Sequence, residues 1–326
     1  MTVCIKELEQ MRREWVEVTR KNGFREGITD LLSHQYSEKT HFIFELLQNA
    51  EDAKASEVKF LVENERLVFS HNGELLFTDE NVKSITSIGQ SSKRTDYTQI
   101  GKHGIGFKSV FAYTHTPRIH SGDKHFDIVD VVVPHILTGS DIPADIKLGE
   151  TRIVLPFDSE ALPEVRRFRE LVPAEKARTD ISGAMRQLSA RTLLFLRHIE
   201  KIHWTLPDST NGAYLRDKPR PVTGRPTARY VDIMDGSKTE NWLVFERKIT
   251  VADEGKEHQG TVEVAFLIQD DKVIRAQNTE LVVFFPTEKK TELGFLIQGP
   301  FKTTKARDNI AKSQDCEANK QLIETA

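Results

Sequence analysis

The segment ELLQNAEDA, residues 45–53, carries the pattern from which the fold is predicted. Its spacing places Glu45, Asn49, Asp52 and Ala53 on one face of a helix, which we expect over residues 38–54. A carboxylate one turn from an amide oxygen can hold a water beside Mg²⁺, an ion that prefers oxygen ligands. The small Ala53 leaves room for a flat ring or a phosphate. A solvated helix face explains the same spacing, so this segment alone leaves both interpretations open.

A second segment, GKHGIGFKS at residues 101–109, is rich in glycine and leads into an apolar helix that we expect over residues 107–113. Glycines let backbone N–H groups approach an anion, and a helix N-terminus carries partial positive charge. The segment therefore predicts a phosphate cradle. It is not a P-loop, because G-x-x-x-x-G-K-[ST] is absent, and no βαβ unit of a dinucleotide fold surrounds it. An ordinary tight turn remains the alternative.

Taken together and in this order, the two segments resemble the GHKL ATPases, the class that contains gyrase B, the ninety-kilodalton heat-shock chaperones, histidine kinases and MutL. Residues 45–53 are similar to the N-box, which ends N-A-x-D-A in the chaperone branch. Residues 100–110 are similar to the glycine box of that branch, I-G-x-x-G-x-G-F-x-S. The segments LLFLRHI (193–199), FFPT (284–287) and GFLIQGPF (294–301) resemble the sacsin and NO VEIN branch. The resemblance covers roughly residues 25–310.

The resemblance implies roles for individual residues. It makes Glu45 the general base that activates the attacking water, and Asn49 the ligand of Mg²⁺. It makes residues 89–99 a lid over the nucleotide. Further ATP contacts are implied at the helix end, the lid, the glycine-rich loop and a later strand: Asp52, Ala53, Ser91, Ser92, Lys93, Gly101, Lys102, His103, Gly104, Ile105, Gly106, Phe107 and Thr151.

Two cations in the second half are candidates for contact with the γ-phosphate. They are Lys305 and Arg307, in a polar loop at residues 303–309. A cation there would stabilise the charge of the transition state. A surface position in a polar loop is the alternative for both.

The sequence departs from the family pattern at the box D-x-G-x-G, whose Asp accepts a hydrogen bond from the adenine amine. The matching residues are His71, Asn72, Gly73, Glu74 and Leu75. A neutral imidazole nitrogen can accept a hydrogen bond, and Asn72 has a carbonyl, so adenine recognition stays compatible with these residues. We expect looser selectivity for the base.

Composition indicates an ordinary globular chain. Its 326 residues are 38% hydrophobic and 29% charged with a net charge of −3, so nucleic acid is not indicated as a partner. The two cysteines, Cys4 and Cys316, predict no disulfide framework. No apolar run reaches membrane-spanning length, and the N-terminus has no signal-peptide pattern. We therefore expect a cytoplasmic protein without membrane contact.

The order of predicted elements indicates an α+β fold in two domains. By the resemblance, residues 1–157 are expected to form the α/β sandwich of the GHKL class, the Bergerat fold, which binds ATP. Residues 1–30 are expected to form a helical arm of this domain. Residues 158–326 are expected to form a smaller, strand-rich α/β domain of transducer type, with a helix at about residues 181–200. His115, His120 and His125 recur every five residues, but strand geometry predicts that they do not converge on a metal.

The leading functional hypothesis is a Mg²⁺-dependent ATPase that works as a conformational switch. By the resemblance, ATP would dimerise the chain through residues 1–30 and drive a partner or an effector domain, and we expect the chain to be part of a longer protein. A nucleotide-binding scaffold with little turnover is the alternative. A histidine-kinase-type phosphotransferase is disfavoured, because no phospho-acceptor helices precede the site. Sacsin-like modules imply protein quality control or anti-phage defence, and fold cannot choose between them.

Overall fold

A computed structural model describes residues 4–23, 41–87, 106–163, 167–236, 238–253 and 256–302, with 319, 320, 322 and 324 near the C-terminus. The chain forms two compact units. The first comprises Met1–Arg94, His103–Gln187 and Ile202–Asn211, and the second comprises Thr95–Lys102, Leu188–Lys201 and Gly212–Ala326. Among the described helices, none combines the length and apolar character that a membrane crossing needs.

The first unit combines helices with an antiparallel sheet. Its α-helices are α1 (Ile5–Lys21), α2 (Phe42–Asp52), α3 (Asp79–Ile85) and α4 (Ala174–Gln187), and two 3₁₀ helices span Gly106–Ala112 and Gly139–Asp141. Its strands are β1 (Glu57–Val62), β2 (Arg66–His71), β3 (Arg118–Ser121), β4 (Lys124–Val129), β5 (Val133–Ile136), β6 (Thr151–Pro156) and β7 (Lys201–Thr205). The strands lie in the order β7-β1-β2-β6-β3-β4-β5.

The core of the first unit lies on one face of this sheet. Alternate residues of β1 and β2 are buried, and the pair Phe60 and Phe69 lies directly opposite in register with ring centroids 4.7 Å apart. Helix α2 contributes Phe42, Leu46 and Leu47, all with no exposed surface. Burying a side chain of this size stabilises the fold by roughly 1.5–3 kcal/mol. Helix α2 is therefore held firmly, and its polar residues are held with it.

Local chemistry explains where several elements begin and end. Helix α3 starts at Asp79 because Thr78 and Asn81 form a reciprocal capping box. Strand β4 ends at Val129 because Asp130 and Val131 adopt positive φ angles of 50° and 69°. A strand cannot continue through that conformation.

The second unit is built almost entirely of strands. They are β8 (Asn211–Arg216), β9 (Arg220–Val222), β10 (Arg225–Asp235), β11 (Lys238–Asp253), β12 (Lys256–Gln269), β13 (Lys272–Ile274), β14 (Glu280–Val283), β15 (Phe285–Lys290) and β16 (Leu296–Gln298). The sheet order is β15-β14-β16-β12-β11-β10-β8, with β13 beside β12 and β9 beside β10. The β14–β16 pair is parallel.

The helix expected at residues 181–200 is wrong in both its start and its end. Helix α4 begins at Ala174, directly after Pro173, whose fixed φ suits the first helical turn. It ends at Gln187, and Ser189 then caps a 3₁₀ helix, Ala190–Leu193, by accepting the N–H of Arg191. The apolar run that follows is not a helix.

The predicted fold class is confirmed. The structure has mixed α-helices and strands in its first unit and a strand-rich second unit. Every site residue that falls in the described ranges belongs to the first unit.

Candidate functional site

Helix α2 carries the N-box residues. Glu45 is buried with 8% of its surface exposed, while Asn49, Asp52 and Ala53 towards the C-terminal end are half-buried. The helix is less amphipathic than its sequence suggests, because Gln48 and Glu51 are also buried. Glu45 and Asn49 are four residues apart, so they lie one helical turn from each other on a helix that its buried residues hold in place.

The turn after β2 packs directly against the end of α2. Gly73 is buried, and the N–H of Leu75 donates to the carbonyl of Ala53 at 3.2 Å. A Cβ placed on Gly73 would lie 2.8 Å from both the Cβ and the carbonyl oxygen of Ala53, and 2.9 Å from Nδ1 of His71. Only glycine fits this approach without displacing backbone. The contact fixes the distance between the N-box helix and the turn.

His71 is buried, with 6% of its surface exposed. The backbone N–H of Gly73 donates to its Nδ1 at 3.1 Å. Burial lowers the pKa of His71 to about 4, and the negative charge of Glu150 opposes this shift. The ring is therefore neutral at physiological pH, and its accepting nitrogen is engaged by the turn.

Asn72 has a structural role in the same turn. Its side-chain oxygen accepts the backbone N–H groups of Ser56 (3.0 Å) and Glu57 (2.9 Å), and its amide nitrogen donates to Oγ of Ser56 at 2.9 Å. These bonds tie the end of β2 to the start of β1. The carbonyl that the sequence offered as a base contact is thus occupied by backbone donors.

Thr151, at the start of β6, belongs to a line of polar residues that we call the polar row: His71, Thr151, Ser121 and Lys124. They are consecutive partners across β2, β6, β3 and β4, so they share one face of the sheet. Oγ of Ser121 lies 2.6 Å from Oγ1 of Thr151 and accepts the N–H of Phe77 at 3.1 Å. Lys124 is paired with Asp79 at 2.9 Å. On this face of the sheet, the polar row lies at the edge of the apolar core.

Residues 106–112 form a 3₁₀ helix, whereas an α-helix was expected at residues 107–113. Gly106 starts it, and Phe107 is buried with 5% exposure. Lys108 is almost fully buried, donates to the carbonyl of Val131 and lies 5.5 Å from the ring centroid of Phe111. In the described part of the chain, no carboxylate pairs with Lys108. Burial, reinforced by the nearby charge of Arg12, lowers its pKa to about 7.

We expect the substitution Lys108→Met to stabilise the chain at neutral pH by on the order of 2 kcal/mol. Each unit by which burial lowers the pKa of Lys108 corresponds to ~1.4 kcal/mol of lost stability, which the substitution restores. The lost hydrogen bond to the carbonyl of Val131 offsets part of this gain. The folded pKa lies below the ordinary value of 10.5, so the unfolded chain binds the proton more tightly. The gain should therefore be complete below pH 7 and disappear as pH rises past 10.5. Urea unfolding across that range measures it.

The exposed Lys201, substituted by methionine in the same way, should give no pH-dependent gain. A difference between wild type and Lys108→Met that stays constant with pH would contradict the burial penalty.

Several predicted contacts lie outside the described residues, and for them the sequence interpretation remains a prediction. They are Ser91, Ser92, Lys93, Gly101, Lys102, His103, Gly104, Ile105, Lys305 and Arg307. The structure does bring together the end of α2, the turn at residues 71–73 and Thr151. These groups are far apart in sequence. Strand pairing places Thr151 beside His71, and the packing of Gly73 against Ala53 places the turn beside α2.

Sequence reasoning missed Ser121 and Glu150. Ser121 enters the polar row only through pairing with Thr151, thirty positions away, for which a single sequence carries no signal. Glu150 was visible beside Thr151 but was not assigned a role. Gln48 and Glu51 lie outside the apolar stripe of α2, so the helical spacing did not predict their burial.

The histidines correct one expectation. His120 and His125 do converge, with their Nδ1 atoms 3.1 Å apart, because the turn at Gly122 pairs them directly across β3 and β4. His115 lies elsewhere, bonded to Asp158 at 2.6 Å. Among the described residues, no group of three or more His, Cys, Asp or Glu side chains is arranged to hold a metal.

Mg²⁺ is implied by the resemblance, and among the described residues Asn49 is the side chain assigned to bind it. Mg²⁺ is usually held by one or two protein oxygens together with waters and substrate phosphates. Asn49 is half-buried and can offer one such oxygen towards solvent. Such a site would depend on the triphosphate for its remaining ligands.

The comparison with known families finds a match over part of the first unit. Residues 67–153 match the sacsin domain family. The match runs from the second residue of β2 through the first half of β6, and so includes the His71 turn and Thr151.

Two curated relatives extend the match. Protein NO VEIN of Arabidopsis thaliana is 28% identical over 310 residues, which are 88% of this chain and 11% of that protein. Sacsin of Homo sapiens is 26% identical over 242 residues, which are 60% of this chain and 5% of that protein. The chain therefore spans a small fraction of the length of these relatives. The predicted resemblance to sacsin and NO VEIN is confirmed.

Solved structures show a more distant likeness. The N-terminal domain of a DNA repair protein has a TM-score of 0.47 and 11% identity, covering 91% of this chain and 93% of that one. The B-subunit of DNA gyrase from Myxococcus xanthus has a TM-score of 0.44 and 10% identity, covering 88% of each chain. The ATPase domain of the mismatch repair endonuclease MutL from Aquifex aeolicus has a TM-score of 0.36 and 13% identity, covering 86% and 96%.

Proposed function

We propose that this chain binds ATP with Mg²⁺, hydrolyses it, and uses the cycle as a conformational switch. The observation that carries the proposal is the packing of the His71–Gly73 turn against Ala53, which brings the N-box helix and the polar row together. The matches to sacsin and NO VEIN support the same assignment. In this proposal residues 1–157 bind the nucleotide and residues 158–326 act as the transducer-like domain.

The chemistry assigned to the site is displacement at the γ-phosphorus. A water oxygen forms a new bond to phosphorus while the bridging bond to the β-phosphate breaks, and ADP leaves with the electron pair. Glu45 takes the proton of the attacking water. Backbone donors of residues 101–107 hold the phosphate oxygens, and Lys305 or Arg307 contacts the γ-phosphate.

Asn49 is proposed to hold Mg²⁺ through its side-chain oxygen. When bound, Mg²⁺ would offset the charge of the phosphate oxygens. Residues 89–99 are proposed as the lid, with Ser91, Ser92 and Lys93 near the nucleotide.

Helix α1 offers a surface for the dimer that this switch would form. Met11, Trp15 and Val18 are spaced at helical intervals and are 58%, 40% and 55% exposed. A second copy that covers this apolar stripe in the ATP-bound state would couple nucleotide binding to association. A partner protein or a further domain would receive the motion, in the cytoplasm as the sequence suggests.

Binding and turnover of ATP by the full chain test the proposal. We expect ATP to bind in the presence of Mg²⁺, EDTA to weaken binding at least ~10-fold through loss of the phosphate-bound cation, and phosphate to be released continuously. Asn49→Ala should reduce the Mg²⁺ dependence, whereas Asn64→Ala, on the exposed β1–β2 turn, should not.

Failure of wild type to bind any nucleoside triphosphate would overturn the proposed function. Binding without phosphate release would instead support the alternative, a regulatory scaffold with little turnover. This chain has His71 where the family pattern has an Asp, and this difference is the observation that supports the second candidate.

A further inference from the structure

The hydrogen bond between Gly73 and His71 determines which ring nitrogen of His71 carries the proton. A backbone N–H can only donate, so Nδ1, 3.1 Å from the nitrogen of Gly73, is the acceptor and carries no proton. A neutral imidazole has one N–H. The proton of His71 is therefore on Nε2, and that nitrogen is a hydrogen-bond donor.

The surroundings of His71 hold this tautomer in place. Gly73 cannot move away, because it is wedged between Ala53 and the imidazole. The opposite edge of the ring, which carries Nε2, faces away from the turn. Within the described residues, no acceptor is bonded to Nε2. An imidazole N–H without a protein acceptor is satisfied by water or by a ligand.

The position of His71 points to the ligand. Its side chain shares the helix-facing side of the sheet with Thr151, its direct partner in register. Residues so paired have Cβ atoms about 4.5–5.5 Å apart. Thr151 has no exposed surface and its hydroxyl is bonded to Ser121, so His71, with 6% of its surface exposed, is the member of this pair that a ligand would meet.

We propose that His71 reads the purine base as a hydrogen-bond donor, through Nε2–H, and leaves the exocyclic amine of adenine unread. This inference rests on the proposed function, because it assumes that a purine triphosphate occupies the site. A carboxylate at this position can only accept, and so selects an amine. Nε2–H pairs instead with an acceptor, a ring nitrogen of adenine or the carbonyl of a 6-oxopurine. The site should therefore tolerate both bases.

Affinities of the full chain for three triphosphates test the proposal: ATP, purine riboside triphosphate, which lacks the amine, and inosine triphosphate, which has a carbonyl in its place. We expect dissociation constants within about 3-fold of one another for wild type, a difference of less than 1 kcal/mol. His71→Asp should bind ATP at least ~10-fold more tightly than purine riboside triphosphate, because a carboxylate accepts from the amine. His203→Asp, at a partly exposed histidine of the same unit, should leave the wild-type ratios unchanged.

A wild-type loss of ~10-fold or more on removing the amine would overturn the donor assignment and leave the proposed function standing. Failure of all three triphosphates to bind would overturn both. Nitrogen-15 NMR of histidine-labelled wild type provides a measurement that does not depend on the folding of His71→Asp. The His71 signal, assigned by its loss in His71→Gln, should show a protonated Nε2 and an unprotonated Nδ1. A protonated Nδ1 would also overturn the proposal.

Discussion

Replacing Glu45 by glutamine is expected to reduce phosphate release at least ~100-fold while ATP affinity changes by less than about 3-fold, since positioned general bases contribute 10²–10⁴ in rate. Glutamine keeps the size and shape of the side chain but cannot take a proton from water. Glu45 is buried on a helix whose neighbours Leu46 and Leu47 have no exposed surface, so the replacement should stay in position. Steady-state phosphate release and equilibrium binding measure the two quantities.

Glu51→Gln is the matched control for this prediction. Glu51 lies on the same helix and is also buried, with 4% exposure, so it reports what loss of a buried carboxylate does to the helix itself. Its phosphate release, per folded molecule, should fall by less than about 3-fold, well short of a general-base effect. Equal losses in the two variants would show that Glu45 acts on structure and not as the base.

Gly73→Ala is expected to destabilise the chain by about 1–3 kcal/mol, the usual cost of an added methyl group where there is no space. The new Cβ would meet the carbonyl oxygen of Ala53 at 2.8 Å, and this backbone atom cannot rotate away. The turn must therefore shift, and with it the bond from Gly73 to His71. We expect ATP affinity to fall at least ~10-fold, equivalent to 1.4 kcal/mol or more.

Gly183→Ala provides the control, because an added Cβ there has no neighbour within 4 Å and the residue lies inside helix α4. It should stabilise the chain by up to ~1 kcal/mol, the helix-propensity difference between the two residues. Thermal unfolding and ATP titration of both variants decide the matter. Unchanged stability and affinity in Gly73→Ala would remove the turn from the site.

Local patterns were sufficient to predict much of the fold. The helical spacing around Glu45 predicted α2, and the alternation of buried and exposed residues in β1 and β2 is a local pattern of the same kind. These elements are specified by neighbours in sequence, which is why their prediction succeeded. The helix expected at 181–200 failed because a run of buried leucines has no period that distinguishes a helix from an irregular apolar segment.

The residues of the candidate site also fall into two groups: those that the sequence predicted and those that only the structure identified. The sequence by itself determined the residue types of the N-box and the glycine box, since both are contiguous and their resemblance to a family needs no coordinates. Only the tertiary structure decided the polar row, because Ser121 and Thr151 meet through strand pairing. It also decided the proton of His71. From the sequence we expected a ring nitrogen of His71 to accept a hydrogen bond, whereas the N–H of Gly73, fixed against Ala53, occupies the accepting nitrogen and leaves the proton on Nε2.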